Sequence, residues 1–111
     1  MDPRVVDAKT ALGMGTIGGA RALGMDAQIG SLEAGKRADL IVVDASNARH
    51  TPMYDPISHL VYVTRGDDVQ TTVVQGKVLM RDRKVLTLDE AAILKDARAW
   101  AEKVKAAVTP R

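Results

Sequence analysis

Between Asp7 and Gly24, small and apolar residues return at Ala11, Leu12, Gly15, Gly18, Gly19, Ala22 and Leu23, the spacing of one helix face. Asp7 can cap the start, and Gly24 can supply a left-handed stop. The predicted helix carries Gly13, Gly15, Gly18 and Gly19, each costing about 1 kcal/mol relative to alanine. Such a helix calls for an external surface that comes very close to its backbone. Further on the pattern changes. Ile29–Leu32 reads as a short strand. The tight loop "EAGKRAD" follows, with Gly35 at its turn, and then the unbroken apolar run Leu40–Val43, bounded by Asp39 and Asp44. A run of that kind predicts a strand covered on both faces.

The middle of the chain is less regular. "NARHTPMYDPISH" reads as a loop stiffened by Pro52 and Pro56. "HLVYVT" alternates weakly and predicts a strand, and "RGDDV" a turn. Val69–Val74 and Val78–Met80 form a predicted hairpin about Gln75-Gly76-Lys77. "RDRK" bends the chain again, and Val85-Leu86 returns as a short edge strand. The last element is an amphipathic helix. "TLDE" matches a capping box with Thr87 as cap and Glu90 three residues on. Ile93, Ala97, Trp100, Ala101, Val104 and Val108 share one face, Lys95, Asp96, Arg98, Glu102 and Lys105 occupy much of the rest, and Pro110 marks the end.

Composition narrows the function classes. The 111 residues hold 46% apolar and 27% charged residues with a formal net charge of +2, an ordinary globular balance. Basic residues are interleaved with acidic ones. The only aromatics are Tyr54, Tyr62 and Trp100, poor material for stacking bases, so no nucleic-acid partner is expected. Without cysteine, disulfides and thiolate metal sites are excluded, and a cytoplasmic setting is the expectation. The opening "MDPRVVDAKT" is charged, unlike a signal peptide. No run approaches the roughly 20 apolar residues of a membrane span, so no membrane partner is expected.

Candidate chemistry is sparse. "EAGK" lacks the GxxxxGK[ST] spacing of a phosphate loop, and a strand follows where a helix is needed; Gly35 reads as a structural turn. His50 and His59 form neither an HxH nor an HExxH pair. With Asp55 they could make a metal loop, "HTPMYDPISH". The plainer reading puts His50 on a solvated loop and His59 at the start of a strand. Ser31, Ser46 and Ser58 lack a GxSxG elbow. Asp67-Asp68 reads as a turn and Asp89-Glu90 as a helix start. "RDRK" could meet an anion but reads as a solvated bend. The residues themselves thus nominate no catalytic, cofactor-binding or metal-binding residue.

Two long stretches resemble the carboxy-terminal signature of the amidohydrolase superfamily: "GGARALGMDAQIGSLEAGKRADLIVVD" and "TPMYDPISHLVYVTRGDDVQTTVVQGKVLMRDRKVLTLDE". Within it they resemble the branch of chlorohydrolases, cytosine and guanine deaminases, and S-adenosylhomocysteine/methylthioadenosine deaminases. "DPISHLVY" and "GKVLMRDRKVLTLDE" are most similar to the adenosine-derivative deaminases. The resemblance runs from about Val6 to Val108. It implies a much longer enzyme, with a metal-binding (β/α)₈ barrel and a small β-sandwich built from both chain ends. Barrel histidines and an aspartate there hold zinc or iron and activate the water that displaces ammonia. The aspartate ligand would lie upstream of Met1; Asp2 and Asp7 do not match it.

On that resemblance the fold class is α+β: a partial β-sandwich with a glycine-rich first helix, the last barrel helix of the longer enzyme, and an amphipathic last helix. Residues 1–28 would be that barrel helix and its connection, 29–86 the sandwich strands, and 87–111 the closing helix. The expected function is that of a structural carboxy-terminal fragment of a metal-dependent, deaminase-like amidohydrolase. It would have no cofactor of its own, and its partner would be the missing barrel or a second copy. Two alternatives stay open: an independent β-rich interaction or scaffold domain, and a subunit completing a barrel on another chain.

Overall fold

Two α-helices, a strand, a third helix, three strands and a fourth helix follow one another along residues 5–108, which a computed structural model describes. Asp2 and Pro110 lie outside the described residues. Asp7 accepts a 2.7 Å hydrogen bond from the Thr10 backbone N–H and starts α1, Ala8–Gly13. A π-helical turn, Met14–Gly18, interrupts the expected continuous helix before α2, Gly19–Ala22. At the break Thr16 leaves helical geometry (φ −120°, ψ −105°). Its hydroxyl donates 2.7 Å to the Leu12 carbonyl, which competes with the backbone ladder. Gly24, at φ +65°, follows the stop.

The glycines of this segment are used differently from the expectation. Gly13 and Gly15 have no neighbour that an added Cβ would meet, whereas at Gly18 a Cβ would fall 2.9 Å from the Gly13 carbonyl oxygen, within the kink itself. The close approach from outside comes from Gly30. There a Cβ would lie 2.7 Å from the Ala20 Cβ and 2.9 Å from the Ile17 Cα, at φ +91°. Ile29–Leu32 is accordingly no strand: the chain bends there to lay Gly30 against α2. Gly35, at φ +90°, makes the turn expected of it.

The strands are β1 (Leu40–Val43), β2 (Val69–Val74), β3 (Lys77–Arg81) and β4 (Lys84–Val85), forming one antiparallel sheet in the order β1-β2-β3-β4. Both hairpins have two-residue turns in the left-handed region, Gln75-Gly76 (φ 50° and 76°) and Asp82-Arg83 (φ 48° and 67°), the handedness that matches strand twist. Leu40 pairs with Val73 and Val42 with Thr71, with a bulge before Val43. The expectation that β1 is covered on both faces fails. It is an edge strand, with Ile41 54% and Val42 51% exposed.

"HLVYVT" is also not a strand. Pro56–Tyr62 is a helix, α3, because Asp55 accepts from the Ile57 and Ser58 backbone N–H groups and Pro56 occupies the first turn. Within the expected loop, Ala48–His50 forms a 3₁₀ turn. The closing helix, α4, runs Glu90–Val108. Its cap is Asp89 rather than Thr87: the Asp89 carboxylate accepts 3.0 Å from the Ala92 backbone N–H, one of the donors left open at a helix start.

Little of this is enclosed. Ala8 and Ala20 are the buried apolar residues among those described. The chain exposes 8897 Å², against about 6,000 Å² for a folded monomer of 11.9 kDa. Its radius of gyration of 19.8 Å exceeds the roughly 13 Å of a closed domain of this length. The architecture is therefore α+β, a single sheet flanked by helices, with most of its apolar faces uncovered.

Candidate functional site: a buried aspartate cluster

Asp68 is 4% exposed and lies at the end of the 3₁₀ turn Gly66–Asp68, where the chain enters β2. Sequence reading treats it as half of an acidic turn. The structure makes it the hub that ties residues 44–50 to the turn before β2. One carboxylate oxygen, Oδ1, accepts from the Asn47 amide at 2.8 Å and from the Arg49 guanidinium. The other, Oδ2, accepts from the Arg65 backbone N–H at 2.8 Å and faces His50 Nε2 at 3.4 Å. Its carbonyl receives the Asp44 N–H at 2.8 Å, just past β1. The Arg65 N–H is three residues away, but the side-chain partners lie about twenty residues upstream, so no local motif advertises the cluster.

Asp68's carboxyl is held below the ordinary carboxylate range. The chief cause is the hydrogen bond from the Arg65 backbone; His50 and the Arg49 charge act in the same direction, and desolvation opposes them. Asp44 is lowered through its bonds from the Ser46 hydroxyl and N–H, and Asp55 through the Ser58 hydroxyl and the helix-start N–H groups.

His50 is 2% exposed, not solvated as the sequence reading has it. Asn47 caps the 3₁₀ turn that carries it inward. His50 Nδ1 has no hydrogen-bond partner among the described residues. His59 sits on α3, not at a strand start, and its Nδ1 donates 3.0 Å to the Asp55 carbonyl. The two rings lie 5.9 Å apart and tilted by 33°. They line a cavity of about 290 Å³ whose other walls include Ile41, Val43, Met53 and Leu60.

The metal-loop reading of "HTPMYDPISH" does not fit this geometry. Asp55 spends both carboxylate oxygens on the α3 start. Asp68, the carboxylate that does meet His50, is already neutralised by Arg49, whose charge would repel a cation. Among the described residues, no group of three or more His, Cys, Asp or Glu side chains is arranged to hold a metal ion. The remaining candidates are structural. Ser31 Oγ accepts from Lys36 Nζ at 2.6 Å. Ser46 and Ser58 donate to Asp44 and Asp55. Arg83, of "RDRK", donates to the Gly66 and Val69 carbonyls at 3.1 and 2.9 Å, bracing the turn that presents Asp68. No helix among the described residues is long and apolar enough to cross a membrane.

Comparison with known proteins places this framework. The amidohydrolase family profile matches residues 1–79. The chain belongs to the amidohydrolase family. It is 45% identical over 105 residues to a 5-methylthioadenosine/S-adenosylhomocysteine deaminase of Syntrophus aciditrophicus, covering 95% of this chain and 24% of that protein. It is 51% identical over 102 residues to a 5'-deoxyadenosine deaminase of Methanosarcina barkeri, covering 92% of this chain and 23% of that one. Among solved structures, a zinc-bound adenosine deaminase from Xanthomonas campestris superposes with a TM-score of 0.82 at 37% identity, over 95% of this chain and 24% of the other. Atrazine chlorohydrolase of Arthrobacter aurescens, complexed with zinc, gives 0.73 at 28%, over 85% and 20%. This amidohydrolase chain thus spans about a quarter of the length of the curated relatives it matches.

Proposed function

We propose that this chain is the carboxy-terminal portion of a zinc-dependent amidohydrolase that deaminates adenosine derivatives, and that its own role is structural. The observation that carries this reading is identity of 45–51% across nearly the whole chain to deaminases of which it covers only 23–24%. Uncovered apolar faces support it: a sheet and helices that expose this much surface fit a shell laid over a larger body. In that shell the present sheet supplies one layer of a β-sandwich, and α1 and α2 lie against a barrel.

The chain's own residues do positional work. Asp68, drawing in Asn47, Arg49 and His50, locks the turn before α3 to the junction of β1 and β2, so that α3 and the sheet move as one piece. The zinc of such an enzyme activates water for attack on the aromatic ring. Asp68 is occupied by Arg49 and unsuited to hold it, so the ion's ligands belong to the remainder of the enzyme. A chain without cysteine suits a cytoplasmic enzyme.

Complementation tests the reading. The 111-residue chain is purified alone and with the Syntrophus deaminase lacking its last quarter. Ammonia release from 5'-methylthioadenosine and bound zinc are measured in each. Activity and metal in the mixture, with neither in the isolated chain, are expected. Stoichiometric zinc and ammonia release from the chain alone would overturn the structural role.

A further inference from the structure

The closing helix carries a largely exposed apolar stripe, of which Leu94 alone lines a groove shared with β4 and the segment that follows it. Ile93, Leu94, Trp100 and Val104 are all exposed, Trp100 by 64%. The stripe has heptad order. Ala97 and Val104 occupy one inner position, Ile93 and Trp100 the other, and Leu94, Ala101 and Val108 widen it on one side. On its opposite flank stand two charged residues seven apart, Asp96 and Lys103. Lys103 already leans over the stripe, with Nζ 4.7 Å from the Trp100 ring centroid.

We propose that this face pairs with the same face of a second copy of the chain, as an antiparallel two-helix seam. The charges select the partner and the direction. In an antiparallel pair like flanks face each other, so Asp96 of each chain meets Lys103 of the other, twice about the two-fold axis. A parallel pair would set those charges against the apolar flank of Leu94, Ala101 and Val108. The same register faces Ala97 with the partner's Trp100 and Ile93 with the partner's Val104. Each large ring then lies over a small side chain, as close packing requires. A seam of one helix per chain falls below the roughly 1,200 Å² of a standard interface, so the dimer is weak and concentration-dependent.

Sedimentation of the full 111-residue chain is followed from about one to several hundred micromolar, a span suited to a small interface. Trp100, the only tryptophan, reports the seam directly through its emission. The mass is expected to approach twice the monomer as that emission shifts to the blue. Asp96→Lys and Lys103→Asp should each weaken pairing about tenfold, through two reversed ion pairs; the double exchange should restore it. A second measurement leaves those charges in place. In this cysteine-free chain, a mixture of Ile93→Cys and Val104→Cys proteins should cross-link on oxidation, while Ile93→Cys alone stays uncross-linked. The proposal is overturned by a monomer across the whole range, which would give the face to another partner such as the rest of a longer enzyme. It is also overturned by a double exchange as weak as the single ones, or by cross-linking of Ile93→Cys with itself.

Discussion

Asp68 and His50, eighteen residues apart in the chain, meet in the interior with Oδ2 and Nε2 3.4 Å apart. They are the buried polar side chains among the described residues, and most buried polar groups are bonded; here both Asp68 oxygens are, while His50 Nδ1 is left without a partner. Asp68→Ala would strip Asn47, Arg49, His50 and the Arg65 N–H of their common acceptor. The expected result is a melting temperature lower by more than about 5 °C, the scale of losing one substantial buried interaction in a domain this small. Thermal unfolding followed by circular dichroism measures it. A shift within error would mean that the cluster is decorative.

The same cluster sets a pH dependence. Asp68's carboxyl titrates below its ordinary value near 3.8, so the folded form binds its proton less readily than the unfolded chain does. Its stabilisation is present above that ordinary value and is lost as pH falls through the folded-state value. Urea midpoints between about pH 5 and pH 2, a span chosen to bracket carboxylate titration, should therefore fall. Asp68→Asn should flatten part of that fall, leaving the share carried by Asp7, Asp44 and Asp55, which are lowered too.

Gly30 and Gly35 share a left-handed backbone but not a setting. Gly35 has open space where a Cβ would go; Gly30 has Ala20 and Ile17. Gly35→Ala should cost about 1 kcal/mol from backbone strain alone. Gly30→Ala should cost about 2–4 kcal/mol, because α2 must also move away. Denaturant titrations of the two variants give the comparison, and equal losses would contradict the close approach.

At the start of α4 the cap is testable by a pair of substitutions. Asp89→Ala should cost about 1 kcal/mol of stability and reduce helicity, while Thr87→Ala stays within about 0.5 kcal/mol. The reverse order would restore the capping-box reading of "TLDE".

What sequence discloses here follows the range of the interaction. The β2–β3 hairpin, the Asp7 cap, the turn at Gly35 and the length of α4 each depend on residues within a few positions, and all are legible. Helix α3 is missed by the sequence reading, although Asp55-Pro56, a cap followed by a first-turn proline, marks its start. The apolar run Leu60–Val63, too short to show a helical period, favours a strand instead. Thr87 and Asp89 compete for one helix start, and the carboxylate two residues on takes it. Asp68 lies beyond such reading. Its partners come from Asn47, Arg49 and His50, and only the paired strands bring them within reach. The same is true of Gly30, whose reason for lacking a side chain is α2.

The two borders of the sheet are unequal. β4 offers two residues, closed by a tight turn, whereas β1 presents Leu40–Val43 with Ile41 and Val42 bare. Sheet extension is therefore polar: a newly arriving strand, native or errant, finds its ladder beside β1. A lysine introduced at Val42, which is half exposed and does not line the His50 cavity, would charge that border and leave the aspartate hub in place, and so separate failures of assembly from failures of folding.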